Sequence, residues 1–171
     1  MSNCMSAMGG MGSVELSQGL KQLKGEHPPL ILQLKNLFNL TQKMEKDPNL
    51  ADYIELTTKV EKFKAELDPH SEREEGVLFP MMGAYIGTTS GPIAVMEYEH
   101  DQAKLKIKEF LAAEMELLSI EELKTRAGLI RDAYYILTEH FSKEENVLFP
   151  MAERMLTNEE KEELYQKIQE I

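Results

Sequence analysis

Residues 70–81 read HSEREEGVLFPM, and residues 140–151 read HFSKEENVLFPM. The two stretches share the histidine, both glutamates, the Val-Leu-Phe-Pro run and the closing methionine, with Arg73 matched by Lys143. They lie 70 positions apart, and an echo precedes each of them: Glu26-His27 answers Glu99-His100 at an offset of 73. The chain contains four histidines, and all four fall on these paired positions. Each half of the sequence therefore carries one single His and one His-x3-Glu.

An α-helix turns about 100° per residue, so His70 and Glu74 project from one face a turn apart, as do His140 and Glu144. The same spacing predicts that this face continues through Val77, Leu78 and Met81 in one copy, and through Val147, Leu148 and Met151 in the other. Those residues are apolar, so the His/Glu face is expected to point into a core. Carboxylates and imidazoles are costly to bury without a cation, and a metal ion removes that cost. Imidazole and carboxylate donors without a thiolate suit iron or manganese, whereas structural zinc usually recruits Cys. Two carboxylates on opposing helices can each bridge two ions, which favours a dinuclear centre. The spacing leaves open whether each ion draws its two His from one half or one from each. Glu75 and Glu145 lie further round the helix. Glu74→Ala and Glu144→Ala are expected to lose metal while Glu75→Ala and Glu145→Ala largely keep it, unless local distortion makes the latter pair the bridges. Without ions, Glu74 and Glu144 are expected to respond to burial by taking up protons.

The rest of the chain narrows the function by exclusion. It has 171 residues and a net charge of −11, from 30 acidic against 19 basic side chains. That balance argues against a nucleic-acid or anionic-membrane surface. No apolar run approaches the ~18 residues of a membrane span, and the start does not read as a secretory signal, so a cytoplasmic location is expected. The single cysteine, Cys4, excludes an internal disulfide framework and CxxC chemistry. No GxGxxG, GxxxxGK[ST], GxSxG or EF-hand loop is present. Residues 1–12, with Met1, Met5, Met8 and Met11 among small residues, read as a flexible tail; residues 13–171 read as one domain.

Helical periodicity dominates that domain. A first helix is expected to start at Pro28-Pro29 and carry Leu30, Leu34, Leu37 and Phe38 inward to about Lys46, before Asp47-Pro48. A second runs from about Leu50 through Ile54, Val60, Phe63 and Leu67 to about Met82. After a Gly- and Thr-rich loop, a third spans about Pro92 to Leu118, with Ile107 and Leu111 inward. Ser119 and Glu122 form a capping box for a fourth, carrying Ile130 and Leu137 inward and reaching about Leu156. Thr157 and Glu160 cap a short terminal helix. The fold class is all-α: an up-down-up-down antiparallel four-helix bundle with short extra terminal helices.

The pattern H…HxxxE…H…HxxxE resembles the hemerythrin/HHE cation-binding family, met here by His27, His70-Glu74, His100 and His140-Glu144 over about residues 20–156. The resemblance implies a non-haem di-iron centre with an oxo or hydroxo bridge, with Glu74 and Glu144 joining two irons that carry the four His. Oxygen-carrying members have a fifth histidine four residues from the third; here Met96 and Lys104 stand at those distances from His100. They also use HxxxxD on the last helix, where this chain has Glu145. The ligand set is more similar to bacterial di-iron proteins linked to iron–sulfur cluster repair under nitric oxide stress, and to HHE sensors.

The leading functional expectation is a di-iron protein that binds O2, NO or iron for sensing, storage or stress response. The alternative is an enzyme that reduces NO or peroxide or aids iron–sulfur cluster repair. The third class, a bundle that the metal merely stabilises, gives no small-molecule chemistry. Expected partners are O2, NO or peroxide, with no nucleic acid and no membrane.

Overall fold

The computed structural model describes residues 13–171; the tail read at residues 1–12 lies outside the described residues. Four long helices supply the frame: α1 (Gln18–Lys46), α2 (Leu50–Arg73), α4 (Gly91–Leu111) and α5 (Ile120–Lys143). Shorter pieces complete it: α3 (Phe79–Ile86), α6 (Phe149–Met155) and α7 (Asn158–Ile168). The long helices form the all-α antiparallel bundle, in which α1 packs on α2 and α5 while α4 packs on α5. Both capping boxes form, Ser119 with Glu122 and Thr157 with Glu160. Gly87 and Gly91 take positive φ, 79° and 75°, in the turn that separates α3 from α4.

The first helix begins ten residues before the expected start and runs straight through Pro28 and Pro29. Each proline lacks an N–H and frees the carbonyl four residues back, here on Lys24 and Gly25. Both prolines and both of those residues are exposed, so the freed carbonyls are open to solvent. The inward face, Leu23, His27, Leu30 and Leu34, continues unbroken. The third helix ends earlier than expected, at Leu111, and a 3₁₀ turn at Met115–Leu117 leads to α5.

Between α2 and α3, and again between α5 and α6, the chain makes a π-turn, at Glu74–Leu78 and Glu144–Leu148. The N–H of Phe79 donates to the carbonyl of Glu74, and that of Phe149 to Glu144, five residues back in place of four. The extra residue moves the inward set one position along. Leu78, Phe79 and Met82 are buried in the first copy, and Leu148, Phe149 and Ala152 in the second. Met81 and Met151 are only half-buried and Val147 is 54% exposed, contrary to the α-helical expectation. Pro80 and Pro150 follow in the first turn of α3 and α6, where a missing N–H is harmless.

The core has two apolar parts. One gathers Leu30, Leu34, Leu37, Phe63, Leu67, Ile107, Ile130 and Leu137 along the bundle. The other gathers Leu20, Leu23, Leu78, Phe79, Met96, Leu148 and Phe149 around the π-turns, closed by Leu164 and Ile168 of α7. Of the expected inward residues, Ile54 is exposed, because Tyr53 and Leu56 take the inward positions, while Phe38 is half-buried and so is Leu111 at the end of α4. A layer of buried polar side chains lies between the two apolar parts: His27, His70, Glu74, His100, His140 and Glu144.

Candidate metal centre

Each of the six side chains in that layer comes from the last turn before a π-turn, from its first residue, or from the middle of a facing long helix. His70 and His140 end α2 and α5, Glu74 and Glu144 open the wide turns, and His27 and His100 stand on α1 and α4. Their ligand atoms form two groups, His27, His70, Glu74 and Glu144, and Glu74, His100, His140 and Glu144, each within 4.8 Å. The two groups share both carboxylates. The structure thus pairs the histidines by sequence half, a division the spacing left open.

The carboxylates split their oxygens between the groups. Oε1 of Glu74 lies 3.1 Å from Nε2 of His70, and its Oε2 lies 3.3 Å from Nε2 of His100. Oε2 of Glu144 lies 3.1 Å from Nε2 of His27, and its Oε1 lies 2.8 Å from Nε2 of His140. None of these approaches is aligned as a hydrogen bond, so both oxygens of each carboxylate and Nε2 of His27, His70 and His140 are buried without a partner. Polar atoms that face one another unpaired at this depth are unfavourable unless a cation or shared protons lie among them. The donor set, imidazole and carboxylate without sulfur, fits iron or manganese.

The second ring nitrogen of every histidine is held by a different glutamate, which sequence reasoning missed. Nδ1 of His27 meets Glu145 at 2.8 Å, His70 meets Glu26 at 2.6 Å, His100 meets Glu75 at 2.6 Å, and His140 meets Glu99 at 3.0 Å. Such partners fix ring orientation and direct Nε2 at the two shared carboxylates. The signal lay in the dipeptides: in Glu26-His27, Glu99-His100, Glu74-Glu75 and Glu144-Glu145, one residue faces the centre and its neighbour orients a histidine of another helix. Glu75 and Glu145 are accordingly orienting groups and not spare surface charges. Phe149 stacks on His27 and Phe79 on His100, both at 5.6 Å between centroids, which gives the repeated Val-Leu-Phe-Pro run its role.

Three of the orienting carboxylates also hold a cation: Glu26 with Arg73 at 3.0 Å, Glu75 with Lys104 at 2.7 Å, and Glu99 with Lys143. Burial alone would raise their pKa values, but the His and cation partners outweigh it and hold all three below the ordinary range. The ion-free chain resolves the charge by proton sharing. Burial works against a charged ring, yet Glu74 and Glu26 raise His70 to about 10, and Glu144 and Glu99 raise His140 to about 9. His100 also rises, against its burial, through Glu74 and Glu75. Glu74 is fully buried but is held well below the carboxylate range by His70 and His100, so the expected proton uptake at Glu74 is overturned. His70, His100 and His140 hold the protons instead.

The hemerythrin HHE cation-binding domain pattern matches residues 18–168. The chain belongs to the hemerythrin HHE family. Among curated relatives, the iron-sulfur cluster repair protein YtfE of Citrobacter koseri is 33% identical over 131 residues, covering 73% of this chain and 57% of the relative. YtfE of Dickeya chrysanthemi is 33% identical over 131 residues, covering 71% and 58%. YtfE of Salmonella schwarzengrund is 37% identical over 92 residues, covering 51% and 42%. The matched stretch of this hemerythrin-like chain spans between 42% and 58% of the length of those relatives. No helix among its described residues is long and apolar enough to cross a membrane.

Proposed function

We propose that this chain is a cytoplasmic non-haem di-iron protein, with His27 and His70 holding one ion, His100 and His140 the other, and Glu74 and Glu144 bridging both. Manganese is the alternative metal. The observation that carries this reading is the division of each buried carboxylate's oxygens between two pairs of imidazole nitrogens, three of which have no hydrogen-bond partner. When bound, two irons joined by an oxo or hydroxo bridge supply a redox-active Lewis-acid centre for a small ligand. The protein's own part is to fix the rings through Glu26, Glu75, Glu99 and Glu145 and to keep bulk water out with Phe79, Phe141 and Phe149.

The function this supports best is binding of O2, NO or iron for sensing, storage or response to stress. A second reading is a direct part in iron–sulfur cluster repair or NO or peroxide reduction; its repair arm is favoured by the YtfE relatives, which are iron-sulfur cluster repair proteins. No general acid or base beyond the ligands and their orienting carboxylates is evident at the centre. Stopped-flow mixing of the diferrous protein with O2, NO and peroxide separates the two. A lasting one-to-one adduct supports binding, and repeated turnover supports the enzyme.

A further inference from the structure

The two halves of the centre are built alike but covered differently. On the His27 side, α7 lies over the first π-turn: Arg73 donates to the Ile168 carbonyl, Gln169 pairs with Gln22, and Val77 is only 7% exposed. Gly19 admits this close packing, since a Cβ there would meet Leu164 at 3.0 Å. The repeat offsets carry Gly19, Gln22, Leu23, Arg73, Val77 and Leu78 onto Pro92, Val95, Met96, Lys143, Val147 and Leu148. Those six residues line an open recess of about 340 Å³ whose surface is wholly apolar. No element of the described chain covers it, and Val95 and Val147 are 46% and 54% exposed.

A second difference lies inside the bundle. Phe141 packs against His27 with 4.4 Å between ring centroids. Its repeat counterpart is Ser71, which is buried and whose hydroxyl has no hydrogen-bond partner. By the pseudo-twofold relation seen in every His–Glu contact, Ser71 takes toward His100 the position that Phe141 takes toward His27, with a hydroxymethyl group in place of the phenyl ring. The floor of the recess, Met96 and Leu148, stands one turn from His100 and from Glu144.

We propose that a small uncharged diatomic ligand reaches the centre through the recess over Met96 and Leu148 and binds on the His100/His140 side, beside Ser71. The inference rests on the metal-centre reading above. An apolar recess attracts an uncharged diatomic and offers nothing to an anion. The recess lacks the features that seat α7 on the other half: Pro92 replaces the glycine, Val95 replaces the glutamine, and Lys143 is engaged with Glu99. The α1–α2 cleft lined by Glu26 and Arg73 reaches His70 on its Nδ1 edge, the back of the ring, and not the atoms between the carboxylates. The His27/His70 side is closed by Phe141 and α7.

The test uses the full chain loaded anaerobically with iron, with metal analysis first. Val147→Trp fills the recess from its exposed rim. It is expected to keep the wild-type iron content and to slow NO association by about tenfold. Ser71→Phe, which copies the closed half, is expected to weaken NO binding in the same assay. Crystals under xenon pressure give a readout independent of iron: xenon is expected against Met96, Val95 and Val147 in the wild type and absent in Val147→Trp. Unchanged NO association in an iron-loaded Val147→Trp would overturn the proposal, as would a recess without xenon. So would a wild-type dimer that dissociates on this substitution, which would assign the recess to a second copy. A wild-type chain that takes up no iron would overturn the metal-centre reading itself, and metal analysis distinguishes that failure from the others.

Discussion

At the scale of single residues, neighbouring glutamates divide their work. Glu74 and Glu144 face the centre with both oxygens, while Glu75 and Glu145 accept from Nδ1 of His100 and His27. Glu74→Ala and Glu144→Ala are expected to abolish binding of two ions. Glu75→Gln and Glu145→Gln leave every direct ligand in place but loosen a ring, and are expected to weaken metal affinity by roughly 10–100-fold. A metal titration of each variant checks this ranking, and wild-type affinity in Glu75→Gln would remove the orienting role. Phe141 is buried against three of the histidine rings. Phe141→Ala is expected to destabilise the protein by about 3–5 kcal/mol, read from denaturant melts.

At the scale of elements, the π-turns decide which residues follow the glutamates inward. The six polar positions were legible in the sequence because duplication places rare residues in register, and His70-Glu74 and His140-Glu144 keep ordinary α spacing. The π-turns were not legible. Periodicity assumes an unbroken ladder, so Met81 and Met151 were expected inside where Phe79, Met82, Phe149 and Ala152 are found. The start of α1 was obscured for a related reason: Pro28 and Pro29 carry the signature of a first turn, yet their freed carbonyls face water. Deleting Gly76 is expected to return the first wide turn to α geometry and rotate Phe79 and Met82 out of the core. The loss should exceed about 3 kcal/mol and abolish iron uptake. Gly76→Ala, at a position where a Cβ meets nothing within 4 Å, should instead be neutral or stabilising by up to about 1 kcal/mol. Thermal melts of the two variants test the turn directly.

At the scale of the whole molecule, the proposed metal and protons would compete for one buried layer. In the ion-free chain His70 and His140 have raised pKa values, about 10 and about 9 against an ordinary 6.5. A raised folded-state pKa gives stability that is fully present below the unfolded value and lost as pH rises through the folded one. The ion-free melting temperature should therefore fall between about pH 7 and 10. The depressed Glu74 acts at the other end, with stability lost as pH falls through its low folded-state value. The loaded protein should behave oppositely over about pH 5–8, because protons displace the ions and ligand-linked stability is lost on acidification. Parallel slopes for the two forms would show that the layer is a proton-paired network and not a cation site. The most direct measurement is an anomalous-difference map at the iron edge from crystals of the anaerobically loaded protein. The account predicts two iron peaks between Glu74 and Glu144, one beside His27 and His70 and the other beside His100 and His140. A single peak, a lone zinc, or histidines from different halves sharing one ion would contradict it.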